Sequence, residues 1–215
     1  LYPGGRNDVE VVPVTTRGPY RKGEVVREEI LQAADELLAE RMPSEVSVRD
    51  VAERAGVQHS VVHRHFATKD QLLAEVVQRT AARYAEAISE TDDPAEGFVT
   101  GMTYMADHRA SFTALARTVA SSAVRGDIDR FPGLATHLHR LDPDADRVGP
   151  LAEGPPGSVD PRALAAALMA LTSGWAALED WWLASSGFGT SDRDAVRAQV
   201  ATIIEELVEH HAPSR

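Results

Sequence analysis

The sequence predicts an all-α protein, and three observations carry that prediction. Apolar residues return at three- and four-residue spacing along most of the chain, from Ile30-Ala33-Ala34-Leu37 to Val200-Ile203-Leu207. Strand signals are scarce, with Val9, Val11, Val12 and Val14 offering only one short run. A chain of 215 residues, 43% hydrophobic and 26% charged, has the composition of a soluble globular protein. That length holds one sizeable domain, or a small domain fused to a medium one.

Residues 1–20 carry Pro3, Gly4, Gly5, Pro13, Gly18 and Pro19 and read as an extended arm. From Glu24 an amphipathic helix runs through Val26, Ile30, Leu37 and Leu38 until Pro43 closes it. Ser47 is the N-cap of a second helix, with Asp50 as the acid of a near capping box and Gly56 as the left-handed corner at its end. Ser60 to Phe66 follows too closely for anything but a tight helical corner. Thr68 caps a long helix to about Ser89, and Asp92-Asp93-Pro94 resets the chain. Periodicity resumes through Phe98, Met102 and Met105, then through Phe112, Leu115, Val119 and Ala123. A weaker helix covers Ile128 to Leu141, and residues 142–160, rich in Pro and Gly, form a loop. Two helices finish the chain, Pro161 to about Ser185 and Asp192 to about His211.

Composition also excludes functions. The absence of cysteine removes disulfide scaffolds, thiolate metal sites and cysteine nucleophiles, and suits a cytoplasmic setting. No apolar run is long enough to span a bilayer, and the first residues lack the order of a signal peptide, so no membrane partner is expected. The net charge of −11 opposes a nucleic-acid partner only on average. Residues 1–70 hold 10 Lys+Arg against 12 Asp+Glu, whereas residues 71–215 hold 12 against 21. A DNA-reading surface can therefore occupy the first third, provided its cations cluster on one side, and whole-chain charge does not decide the matter.

The segment from Ser47 to Leu72 has the physics of a helix-turn-helix. Val51, Ala52 and Ala55 pack the first helix, Gly56 turns the corner, and Val57 and Val62 plug the gap. The second helix is then free to present His59, Ser60, His63 and Arg64 to base edges and phosphates. Arg49 reads either as a phosphate contact or as a solvated charge. His59 and His63 lie four apart, a zinc-compatible spacing, but no acid stands in register and no metal is expected. His137 and His139, like His210 and His211, read as solvated or capping residues.

At these positions the chain resembles the DNA-binding domain of the TetR family of transcriptional regulators. Ser47, Val51-Ala52, Ala55-Gly56-Val57, His65-Phe66, Lys69 and Leu72 match that family's pattern, and Ile30, Ala33-Ala34 and Leu37 resemble its first helix. The resemblance spans roughly residues 21–75. It adds Ser47, Gln58 and Lys69 to the DNA-facing set, along with Arg21 and Lys22, where the family often places a basic extension. Departures set the operator contacts apart: His63 stands for a usual tyrosine, Val61 for a frequent threonine, Gln58 for a serine cap and Ser60 for glycine or proline. The resemblance implies an arm over residues 1–20, a DNA-binding domain over 21–68, and a ligand-binding and dimerisation domain over 69–215.

The second domain has some sequence support of its own. Leu164, Leu168, Leu171, Trp175, Leu178 and Trp182 form one helical stripe, beside the small residues Ala167, Ala170 and Gly174. The last helix repeats the theme with Val200, Ile203 and Leu207. Faces this broad predict a four-helix seam with a second copy, and the alternative is that both helices pack on residues 94–141. Phe98, Met102, Met105, Phe112 and Leu115, facing Trp175 or Trp182, read as a pocket wall or as plain core, with Glu179 among the polar anchors. Two functions compete. One is a dimeric repressor released from a palindromic operator on double-stranded DNA by an unidentified small-molecule effector. The other is a helical-bundle enzyme or non-DNA adaptor with a vestigial helix-turn-helix. No nucleophile–base pair or phosphate loop supports an enzyme, and no cofactor is expected.

Overall fold

A computed structural model describes residues 23–121, 132–143 and 158–212, and these form an all-helical fold. The arm, Arg21, Lys22, the Val9–Val14 run, residues 122–131 and residues 144–157 lie outside the described residues. The first helices are α1 (Gly23–Glu40), α2 (Val48–Arg54), α3 (His59–His65) and α4 (Lys69–Ala87). Ile30, Ala34, Leu37 and Leu38 of α1 are buried against Val51 and Ala52 of α2, Val62 of α3, and Leu72, Leu73 and Val76 of α4. Each large aliphatic side chain in this core contributes about 1.5–3 kcal/mol of transfer free energy, enough to hold a seven-residue α3 that could not persist alone. Pro43 does more than close α1, because Pro43–Glu45 form a 3₁₀ turn before α2.

The remainder is α5 (Pro94–Asp107), α6 (Arg109–Ala120), α7 (Pro132–Leu141), α8 (Pro161–Ser185) and α9 (Arg193–His211). Asp93 caps α5 by accepting the Glu96 amide at 2.9 Å. α5 packs on α8 and α9, α7 bridges α4 and α8, and α6 lies along α1. α6 therefore seats the bundle on the first core, to which it contributes the fully buried Ala114. Arg117 of α6 donates to the carbonyl of Ala39 at 2.7 Å, and the Ser111 hydroxyl donates to Asp35 at 2.7 Å.

The stripe expected on α8 departs from the structure beyond Leu168. The inward line continues as Thr172, Ala176, Glu179 and Leu183, while Leu171, Leu178, Trp181 and Trp182 are exposed. Apolar spacing misled here because the interior at this level is polar: Thr172 donates back to the Leu168 carbonyl at 2.9 Å, and Glu179 meets arginines. The backbone also leaves helical geometry at Leu178, which shifts the register of the last two turns. On α9 the inward line is Val196, Val200, Ile204 and Val208.

Candidate nucleic-acid interface

α3 owes its position to the caps around it. The Ser47 hydroxyl accepts the Asp50 amide at 3.2 Å and the Asp50 carboxylate accepts the Ser47 amide at 2.8 Å, closing the capping box at the start of α2. The Ser47 hydroxyl also donates to that carboxylate at 2.6 Å. These bonds hold Asp50 below its ordinary carboxylate range, the side-chain bond from Ser47 being the main cause. Gly56 adopts φ +65°, and the Val57 amide then donates to the Ala52 carbonyl at 2.9 Å. Val62 is buried on the inner side of α3, and the anchoring Phe66 lies beneath Arg27, whose guanidinium sits 5.2 Å from the ring centre.

The outer side of α3 carries what the sequence assigned to it. Gln58, His59, Ser60, His63 and Arg64 are all exposed, as is Arg49 of α2. His59 and His63 meet edge to face at 4.5 Å, so the two rings form one ridge on the helix. Gln58 occupies the N-cap position without making a side-chain cap bond, which leaves its amide to face outward. Two expected DNA contacts are engaged elsewhere. The Ser47 hydroxyl serves the cap, and the half-buried Lys69 donates to the Pro43 carbonyl, pinning the 3₁₀ turn to α4. Arg54 is bound by Glu36 and Glu40 of α1, away from this face. α3 contains no acid, so its outer face is a basic and hydrogen-bonding strip on an otherwise acidic chain.

The comparisons agree with this geometry. The pattern of bacterial regulatory proteins of the tetR family matches residues 30–76, the part that builds and mounts α3. The HTH-type transcriptional repressor Rv3405c of Mycobacterium tuberculosis is 29% identical over 201 residues, which cover 93% of this chain and 98% of that protein. Residues 30–76 therefore carry the DNA-binding unit of the TetR family. The protein is a DNA-binding transcriptional regulator. A transcriptional regulator from Streptomyces coelicolor shares the fold with a TM-score of 0.61 at 22% identity, over 85% of this chain and 97% of that one. A protein solved for the molecular basis of control of antibiotic production by bacterial hormones gives a TM-score of 0.58 at 26% identity, over 87% and 98%.

The expected effector wall is divided. Phe98 and Met102 are buried in one cluster with Trp175 packed on it, whereas Met105 is buried in another with Phe112 and Tyr84. Leu115 is half-buried on α6. Trp182 does not belong to the wall, because it stands 40% exposed on the outer side of α8, edge-on to Trp181 at 4.5 Å. Glu179 is not a free anchor either. It is wholly buried and accepts from Arg197 at 2.9 Å, Trp175 at 3.2 Å and Arg109 at 3.3 Å, with Arg193 at 3.5 Å. Burial pushes its carboxyl up, but the bonds and charges of Arg197, Trp175 and Arg193 outweigh that and hold it below the usual range.

The expected seam residues divide in the same way. Ala167, Ala170, Ile203 and Leu207 are exposed and Gly174 is half-buried. Val200 is only 9% exposed and faces inward, packed with Ile204 and Val208, so it is protomer core rather than seam. On α9 the inner and outer lines are offset by one residue, about 100° around the helix axis, and spacing alone had merged them. His137 also corrects the reading, since it is fully buried while His139 is exposed. No sequence signal distinguished the two.

Proposed function

We propose that the protein is a homodimeric repressor that binds a palindromic operator and leaves it when a small molecule enters beside Phe98. The observation that carries this reading is the pair of uncovered apolar faces on α8 and α9, on the same chain as an outward-facing α3. Leu171, Leu178, Trp181, Ile203 and Leu207 all stand more than a third exposed, with Trp181 at 58% and Ile203 at 50%. Grouped apolar exposure of this kind marks an association surface. Ala167 and Ala170 beside them allow a second helix to approach closely.

A two-fold pair sets two copies of α3 at a fixed separation, each in one major groove of a half-site. A single short helix reads only a few base pairs, so selection among genomic competitors needs both copies. The ligand then has only to favour the wrongly spaced arrangement by a few kcal/mol. The repressor sense follows the relative Rv3405c, whose name gives that activity. The basic residues Arg17, Arg21 and Lys22 ahead of α1 add phosphate contacts. Ala170→Glu and Ile203→Glu place a charge on an exposed seam and should leave the fold intact. Light scattering should then give the monomer mass, and operator affinity should fall with it. A folded monomeric variant that binds a palindromic operator at parental affinity would remove the spacing mechanism.

A further inference from the structure

Two imidazoles stand together on the face that meets DNA. His59 and His63 are both exposed on the outer side of α3, one helical turn apart, and their rings meet edge to face at 77°, with centres 4.5 Å apart. Among the described residues neither ring has a hydrogen bond or an ion pair to the rest of the chain. The fold does not need them, since Val62 is the buried residue that anchors α3. No acid nearby is committed to the pair. α3 itself adds Arg64 and His65 and no acid. On α2, Asp50 is held in the Ser47 cap and Arg54 by Glu36 and Glu40, which leaves Arg49 and Glu53 exposed. On α1, Glu24 is exposed, Arg27 pairs with Glu75, and Glu28 takes Arg79 and Arg83. At the start of α4, Lys69 donates to the Pro43 carbonyl beside the exposed Asp70.

Imidazole is the side chain whose charge changes between pH 5 and 8. Two protons on this pair would set like charges 4.5 Å apart, so one proton per copy of α3 is preferred to two. DNA adds an opposite charge. A phosphate close to the ring favours its charged form, and a cation placed against phosphate releases a counterion. The imidazolium donates from both ring nitrogens, to a phosphate oxygen or to guanine O6 and N7, so the contact gains a donor whichever tautomer the neutral ring held. The complex then holds more protons than the free protein and free DNA together. Affinity therefore rises as pH falls through the imidazole range and is flat well above it. The buried His137 takes no part, because burial, followed by the charge of Arg140, holds it down at about 3.

We propose that the His59–His63 pair makes DNA recognition proton-coupled, each copy of α3 gaining one imidazolium as it docks. This rests on α3 being the DNA-reading helix, and it adds a response to pH that is independent of any small-molecule effector. The probe is a duplex that the full chain selects from a random pool at pH 7, labelled for fluorescence anisotropy and titrated at pH 6, 7 and 8 at fixed ionic strength. Affinity should be about tenfold or more higher at pH 6 than at pH 8, since one proton per copy gives at most about a tenfold change per pH unit. The log–log salt slope should be steeper at pH 6 by about one per copy of α3. His59→Gln/His63→Gln keeps hydrogen-bonding side chains at two exposed positions but cannot ionise there. It should melt like the parent, bind more weakly at pH 6, and show a ratio between pH 6 and pH 8 within about twofold. Every other histidine stays in place in that variant, so a tenfold ratio that persists in it assigns the protons elsewhere and overturns the proposal. A parent whose affinity is the same at all three pH values overturns it too. Arg64→Ala separates the two kinds of failure. If it weakens binding while the parent shows no pH dependence, α3 still reads DNA and only the proton coupling falls. If it and His59→Gln/His63→Gln both bind like the parent at every pH, the DNA face lies elsewhere and both fall together.

Discussion

Arg64 and His63 project from the side of α3 opposite the buried Val62, so their roles separate cleanly from folding. Arg64→Ala and His63→Ala should each weaken operator binding by about 1–3 kcal/mol, roughly 5- to 150-fold, while the melting temperature stays within a degree or two. Anisotropy titrations at matched salt decide the kind of contact. A lost phosphate contact weakens specific and random DNA alike, and a lost base contact relaxes one operator position. Parental affinity in both variants would move the DNA face elsewhere. Glu179 tests the opposite case, a charge that serves folding. Its folded pKa lies below its unfolded value, so the unfolded chain binds the extra proton. Its stabilisation is full above the ordinary carboxylate pKa of about 4.3 and is lost as pH falls through the lower folded value. Glu179→Gln should flatten that acid limb and cost about 3 kcal/mol at pH 7, because Arg197, Arg193 and Arg109 lose their shared counter-charge. Urea melts from pH 2 to 7 would show it, and an unchanged acid limb would make the cluster a bystander.

At the scale of elements, α6 stands between the helix-turn-helix core and the helices α5, α8 and α9. It touches the DNA-binding core through Ala114, Ser111 and Arg117, and its first residue Arg109 bonds Asp180 at 2.7 Å on α8. Asp35 is the buried junction, accepting from Ser111 of α6 and, at 3.4 Å, from Arg79 of α4. Asp35→Ala should cost about 2 kcal/mol, because Arg79 keeps Glu28 while Ser111 and one arginine nitrogen lose an acceptor. For a chain of this size that is roughly 4–8 °C in melting temperature. A thermal scan that shows no loss would place the stabilising contact between α1 and α6 elsewhere, in Ala114 and Arg117.

The whole molecule joins an acidic body to a basic reading edge. A net charge of −11 repels DNA, whereas the outer face of α3 carries no acid. Removing residues 1–20 deletes Arg6 and Arg17 along with Asp8 and Glu10, so net charge is unchanged; if the two arginines contact phosphate, affinity should fall modestly, the more so the lower the salt, and the log–log salt slope should drop by about one to two. Equal slopes for the parent and the truncated chain would make the arm a passive tail. In the proposed two-fold pair the change is carried twice, so the parent and the truncated chain are compared at equal protein concentration.

The sequence by itself determined the helix-turn-helix, because that unit is written in local signals. Ser47 and Asp50 must be neighbours to cap, Gly56 must be glycine to turn left-handed, and Val62 must follow at helical spacing to plug the corner. Such signals act within a few residues and survive without knowledge of the rest of the chain. Which line of α8 and α9 faces inward was decided only by the tertiary structure. Val200 and Ile203 are both apolar and both helical, yet Val200 meets the cluster around Phe98 and Ile203 meets solvent. His137 and His139 are two residues apart on one short helix, and only the approach of Tyr84 and Phe98 buries the first. Hydrophobic spacing says how wide an apolar face is, but the rotation of the helix about its axis is fixed by partners distant in sequence. In α8 those partners are charged, with Arg109 and Arg197 drawing Glu179 inward and turning Trp181 and Trp182 outward.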